Sequence, residues 1–362
     1  MALSDEEDWR RRFAAGEAAG HMPRRAADWR VRNHSSDGRP GLHRAALNHG
    51  GWRVAEMILH MGLHKTATGA LQRQFFPACG DCRLLTAARP GVRRLVDLVT
   101  RKDPLYFDPG EARRVIDPEL DPDRPNLLSN ESFSGPPYAG VIEAGLDHRG
   151  PVLENLRACF PEARVVLVLR RQDDLARSLY RQYLKAGGTR DVRRFYGLRQ
   201  EVGRPLMSLD RFRFSRYIEA VKRSFPAGVL VLAYEQFVAD QAAFLHRLTR
   251  FIGVDDPGVV LRSENATRLG PAGMEVSRLL NHLFRSNLNQ GGALPSPRQR
   301  LPGGGYRRMR PVALLHDKWP GRVSRGHGAL FEVGREILEM VREDNVRLDR
   351  AHDLGLSAYG YY

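Results

Sequence analysis

The stretch "MILHMGLHKTATGALQRQFF" (Met57–Phe76) begins as an apolar run, passes through a loop of small residues holding one lysine, and ends in helical spacing. With the residues before it, "RVAEMILHM" reads as a short buried strand closed by Gly62. "TGALQRQFFPAC" then sets Leu71 and Phe75 on one helical face and stops at Pro77. Strand, glycine-containing turn and helix form a unit suited to phosphate, because free loop N–H groups and the positive end of the helix dipole face one anion. Lys65 is unusual in its own chain. Of 57 Lys+Arg, lysine stands only at 65, 102, 185, 222 and 318, so 57 − 5 = 52 are arginine.

The same unit recurs along the chain. Further strands are read at "PNLLSNES" (Pro125–Ser132), "ARVVLVLRR" (Ala163–Arg171) and "GVLVLAYE" (Gly228–Glu235). The run at 163–171 is nearly all β-branched or Leu, as suits a strand covered on both faces. It leads straight into "QDDLARSLYRQYLKAGG", whose acidic first turn and Gly-Gly end mark a helix start and stop. The strand at 228–235 is followed by the helix "QAAFLHRLTRFIGV", and more helices are expected at 271–286 and 329–352. Alternating strands and helices predict an α/β fold, a parallel sheet flanked by helices on both faces. Residues 287–311, rich in Gly, Pro and Arg, read as a long loop or lid. Residues 1–50 are polar with charge clusters and are expected to be a flexible arm, which leaves 51–362 as a single domain. No internal repeat is present.

With 362 residues and 42% hydrophobic composition, the chain can bury a sizeable core, which excludes global disorder. No apolar run reaches the ~18 residues of a membrane span, and "MALSDEEDWRRRF" lacks the apolar core of a signal peptide, so a cytoplasmic location is expected. The net charge of +15 favours anionic partners but also fits an arginine-heavy composition with no functional meaning. The three cysteines, Cys79, Cys82 and Cys159, make no disulfide framework. "CGDC" (Cys79–Cys82) has redox or zinc spacing, but no second pair completes a tetrahedral site, and no metal is expected.

The loop at 62–69 is not a Walker A motif, because its lysine precedes the small residues and no Lys-Ser/Thr pair follows the glycine. It resembles the 5′-phosphosulfate loop of sulfotransferases that use 3′-phosphoadenosine 5′-phosphosulfate (PAPS), read in bacterial members approximately as G-L-H-K-T-G-T-T-S-L-Q. Here Gly62-Leu63-His64-Lys65-Thr66-Ala67-Thr68-Gly69-Ala70-Leu71-Gln72 agrees at 62–66, 68, 71 and 72. Ala67 stands for the usual Gly, and Gly69 for a Thr whose hydroxyl would bind phosphate. The family's 3′-phosphate grip, an Arg at a strand end and a Ser eight residues on with an Asp between, is matched by Arg170, Asp174 and Ser178 in "RRQDDLARS". The chemistry agrees with the pattern. Arg170 leaves its strand at the carboxyl edge, where open α/β sheets bind ligands, and offers a planar fork to phosphate oxygens. Ser178, one turn on from Asp174, adds a neutral donor.

The resemblance covers about residues 52–262, with a weaker echo in "EMVREDNVRLDRAHDLGL". It implies a P-loop NTPase-like sulfotransferase fold. It also implies PAPS as cofactor, adenosine 3′,5′-bisphosphate as product, and a hydroxyl-bearing acceptor, expected on a glycan or glycolipid. Gly62, Lys65, Thr66, Ala67, Thr68, Gly69, Arg170 and Ser178 are the implied cofactor residues. Lys65 is implied to meet the leaving-group oxygen, a task suited to a compact ammonium. Arg307 and Arg308 in "LPGGGYRRMR" stand where a late basic motif would reach the 3′-phosphate, or serve an acceptor lid, or are merely solvated. Glu131 in "LLSNESFSG" is the candidate base for the acceptor hydroxyl, and equally a loop-capping or Arg-pairing carboxylate. His64 and His60 are its rivals, His64 as part of the loop and His60 as a residue alternating within its strand. Glu235 reads as structural. Two other readings remain, a basic binding or scaffold protein on a degenerate sulfotransferase fold and a P-loop kinase. Nucleic acid is not an expected partner.

Overall fold

Five parallel strands, β1 (Met57–His60), β2 (Arg83–Leu85), β3 (Asn126–Ser129), β4 (Arg164–Leu169) and β5 (Val229–Ala233), form one sheet in the order β2-β3-β1-β4-β5. This computed structural model describes residues 56–135, 148–199, 205–262, 270–296, 298–300, 306–308 and 328–362. They all belong to one compact unit, Leu47–Tyr362. The expected arm at 1–50 lies outside the described residues.

The period-2 alternation of each strand divides the core into two. Leu59, Leu128, Val165, Leu167 and Val231 point to one face, while Ile58, Leu127, Val166, Val168 and Leu232 point to the other. The helices Pro90–Arg101, Arg149–Cys159, Gln172–Lys185 and Phe214–Ser224 bury Leu95, Leu156, Leu179 and Ile218 against the first face. Leu71, Phe75 and the helix Gln241–Ile252 cover the second through Phe244 and Leu248. Each such side chain contributes about 1.5–3 kcal/mol on burial. The sheet is therefore α/β with helices on both faces, in P-loop-like order.

Three expectations need correction. The edge strand β2 was not foreseen, because three residues of "RLL", pairing on one side only, carry too short a pattern. The segment expected as one long loop at 287–311 holds structure. A parallel bridge joins Phe284 to Leu294, and a small antiparallel ribbon pairs β6 (Arg298–Arg300) with β7 (Tyr306–Arg308). A Gly-Pro-rich sequence hides such a ribbon because its strands are short. The helix expected at 329–352 is two, Ala329–Met340 and Arg342–His352, parted at Val341.

The chain runs from β1 to β2 and β3 on one side of β1, then crosses to β4 and β5 on the other. The switch of direction falls between β1 and β4, where ligands of open α/β sheets bind. The last segment of the chain fixes this edge. Gln172 Nε2 donates to Asn345 Oδ1 at 2.6 Å, and Arg171 Nη1 to the Tyr359 carbonyl at 3.0 Å. Glu235 accepts from the Arg171 N–H at 3.0 Å and from the Tyr361 hydroxyl at 2.7 Å, so it braces the start of the helix Gln172–Lys185.

Candidate functional site

The loop after β1 leaves the sheet while still paired to β4. Met61 N–H donates to the Val166 carbonyl at 2.9 Å and Leu63 N–H to that of Val168 at 3.2 Å. Lys65 (φ 70°) and Ala67 (φ 63°) are left-handed, with Thr66 between them. Such alternation curls successive N–H groups around a concavity that suits an anion. It also explains why glycine is the familiar choice at position 67, since a Cβ there costs about 1–2 kcal/mol. Thr66 is buried and its hydroxyl donates to the Leu63 carbonyl at 2.5 Å. That hydroxyl is engaged in shaping the loop.

Under the loop, Gly62 faces a cradle. A Cβ there would lie 2.7 Å from Thr68 Oγ1 and 3.1 Å from both His60 Nε2 and Thr66 Oγ1. Thr68 Oγ1 and His60 Nε2 are buried and have no hydrogen-bond partner among the described residues. Ser129 Oγ accepts from Gln72 Nε2 at 3.0 Å and stands 2.7 Å from His60 Nδ1. Its proton is therefore best placed toward Nδ1, which leaves the His60 proton on Nε2, facing the cradle. Burial holds His60 neutral, pulling its pKa from 6.5 to about 4.

Lys65 stands exposed at the mouth of the loop. Partial desolvation of its ammonium lowers its pKa from 10.5, with the Glu131 charge opposing and those of Lys185 and Arg170 assisting. Glu131 opens the short turn Glu131–Ser134 beyond β3, whose Ser132 N–H donates to Asn130 Oδ1. His64 is buried, with Nε2 3.2 Å from the Gly135 carbonyl and Nδ1 3.9 Å from Glu131 Oε1. Burial first, then the charge of Arg211, brings the His64 pKa down to about 4, so the ring is neutral at pH 7. The same Arg211 donates to the carbonyls of Ser134 and Gly135 at 2.9 and 3.1 Å and holds the Glu131 turn against the loop.

Arg170, the first residue after β4, reaches back across the switch point. Its Nη1 donates to the Lys65 carbonyl at 2.8 Å, and its guanidinium lies 4.9 Å from the Tyr234 ring centroid. Its Nε is buried with no partner among the described residues. Asp174 is paired with Arg177, which also meets Asp173 at 3.0 Å. Ser178 is half-buried on the next turn. Helical spacing extends this stripe through Arg181, whose Nε is likewise buried and unpartnered, to Lys185.

The two motifs thus meet, 105 residues apart in sequence. Arg307 and Arg308 fall on β7, of which only the backbone is described. Tyr234, Arg211, Arg181 and the Ser129 hydroxyl that links Gln72 to His60 were missed. Each is defined by a tertiary partner, although Arg181 was open to detection at three residues beyond Ser178. Among the described residues no group of three or more His, Cys, Asp or Glu gathers to hold a metal ion. Cys79, Cys82 and Cys159 are buried free thiols, and burial pushes Cys79 up to about 12.

Residues 148–258 match the family model described as Sulfotransferase family. A sulfotransferase from Alicyclobacillus acidocaldarius superposes on 65% of this chain and 94% of its own, with 14% identity and a TM-score of 0.41. Mouse sulfotransferase SULT7A1, solved in complex with PAP, covers 79% and 84%, with 9% identity and a TM-score of 0.30. No curated protein sequence matches. The matched segment contains Arg170 and Ser178 with the strand and helix that carry them, so the similarity to the sulfotransferase family falls on that half of the candidate site.

Proposed function

We propose that the chain transfers the sulfuryl group of PAPS to an acceptor hydroxyl, on a carbohydrate or glycoconjugate, by in-line displacement. The observation that carries this reading is the Arg170–Lys65 hydrogen bond, which joins the two phosphate-suited motifs at the switch point of the sheet. The residues present fit the cofactor. The cradle at Gly62, the unpartnered Thr68 hydroxyl and the unpartnered Arg170 Nε are polar groups awaiting acceptor oxygens. The loop N–H groups of residues 65–69 with Thr68 would hold the 5′ end, while Arg170 and Ser178 would hold the 3′-phosphate. When bound, that cofactor supplies an activated sulfuryl group whose transfer leaves negative charge on a phosphate oxygen.

Lys65 is the cation we assign to that charge, and its lowered pKa reflects a partly desolvated ammonium of the kind that stabilises such a charge strongly. Glu131 is the base we assign to the acceptor hydroxyl, since it is exposed at the start of its turn and its charge acts on Lys65. His64 serves the loop in this scheme, because a ring bound to the Gly135 carbonyl and held neutral to about pH 4 is a weak proton acceptor. A glycan acceptor agrees with the basic chain and a carboxylate base. No described helix is long and apolar enough to cross a membrane, and we place the activity in the cytoplasm.

Calorimetry with adenosine 3′,5′-bisphosphate tests the reading. Binding is expected in the wild type and at least tenfold weaker in Arg170→Ala and Ser178→Ala. Radiolabelled PAPS offered to pools of glycans, lipids and phenols then identifies the acceptor. A folded wild type that binds no bisphosphate sinks the proposal.

A further inference from the structure

The loop carries a second cation that the motif pattern does not contain. Gly69 has no side chain, and the space that its Cβ would fill is taken by the guanidinium of Arg73. Arg73 Nη2 lies 2.7 Å, Nη1 3.2 Å and Cζ 3.3 Å from that position. Arg73 sits four residues on, in the π-helical turn Leu71–Phe75. Helical side chains lean toward the N-terminus, so Arg73 folds back over the residue one turn before it. The turn itself is anchored by Gln72, whose Nε2 donates to the Ser129 carbonyl at 2.9 Å. Arg73 is exposed, so its fork lies on the open side of the loop, while the Thr68 hydroxyl is buried beneath and unpartnered. The chain has therefore placed a guanidinium at the position where a side-chain hydroxyl is missing.

Resting on the sulfotransferase reading above, we propose that Arg73 is a ligand-binding residue that grips the 5′-phosphate of the bound nucleotide from the outer side of the loop, in the space left open by Gly69. The fork suits tetrahedral phosphate oxygens better than a single hydroxyl does, and the hydrogen bonds are charge-assisted. The pair is interdependent. A larger residue at 69 displaces the guanidinium, and loss of Arg73 leaves 69 without any donor side chain.

The test is a binding cycle on the full chain, using adenosine 3′,5′-bisphosphate and adenosine 3′-monophosphate, which lacks the 5′-phosphate. Arg73→Ala is expected to weaken the bisphosphate about 10- to 100-fold, the usual loss for a charged hydrogen-bonding group. It is expected to leave monophosphate affinity within about twofold. Adding Gly69→Thr to Arg73→Ala is expected to recover part of the loss, while Gly69→Thr alone weakens binding by expelling the fork. Unchanged bisphosphate affinity in folded Arg73→Ala, or an equal loss for both nucleotides, overturns the proposal while the sulfotransferase reading stands. Failure of the wild type to bind either nucleotide overturns both.

Discussion

Gly62→Ala puts one methyl group into the cradle beneath the loop, and the structure sets the size of its effect. The new Cβ falls 2.7 Å from Thr68 Oγ1, 0.7 Å short of the 3.4 Å where ordinary contact begins. It falls 3.1 Å from His60 Nε2 and Thr66 Oγ1, 0.3 Å short. The two closer-tied groups resist, since His60 Nδ1 is bound to Ser129 and the Thr66 hydroxyl to the Leu63 carbonyl. Thr68 has no bond to lose, so it rotates, at about 0.5–1.5 kcal/mol for an off-rotamer side chain. With residual overpacking, the folded state loses about 1–3 kcal/mol, or roughly 2–8 °C in Tm for a domain of this size. The rotated hydroxyl no longer meets a ligand oxygen, which weakens adenosine 3′,5′-bisphosphate about 10- to 100-fold. Thermal melting and calorimetry read the two effects separately. The double variant Gly62→Ala/Thr68→Ala, relieved of the closest contact, is expected to regain most of the stability and none of the affinity. If Gly62→Ala binds the nucleotide as tightly as the wild type, the cradle is not where phosphate sits and the reasoning fails.

Lys65→Ala is expected to retain the bisphosphate within about tenfold and to lose at least 100-fold in sulfuryl transfer from PAPS; substantial residual turnover would remove Lys65 from its assigned role. Glu131→Gln should bind as the wild type and lose turnover, with the alkaline limb of the pH–rate profile retained, whereas full activity returns the base to another group. His60 and His64 make stability fall on acidification. Above about pH 6.5 both forms of the chain hold these rings neutral; below it the unfolded chain takes up protons that the folded rings refuse until about pH 4, costing a few kcal/mol in total. Melting curves between pH 7 and pH 4.5 should show this drop, and show less of it in His60→Gln. Finally, the three buried thiols should react with a disulfide reagent only in denaturant, and rapid native labelling would contradict their burial.

The chain's α/β class, four of the five sheet strands and the phosphate-suited loop were legible because they rest on local regularities. An all-apolar run such as "RVVLVL" has few options besides a doubly covered strand, and a small-residue turn between strand and helix exposes its N–H groups wherever it occurs. Spacing also put Arg170 at the end of β4 and Ser178 within the helix that follows, since a helix starting at a strand end fixes the positions of residues one and two turns on. The edge strand β2 escaped because three residues paired on one side hold no readable period.

What tertiary structure alone decided is who meets whom. Nothing local brings Arg170 to the Lys65 carbonyl; strand order does, by seating β4 beside β1. Burial, a property of the whole packing, makes His60 and His64 neutral, although both read in sequence as candidate proton carriers. Gly69 looked like a deficiency along the chain, because a missing hydroxyl is visible in sequence and a guanidinium folded back from the next turn is not. The sequence by itself determined the donors available to an anion, and the fold decided their convergence, because convergence depends on distances that only packing sets.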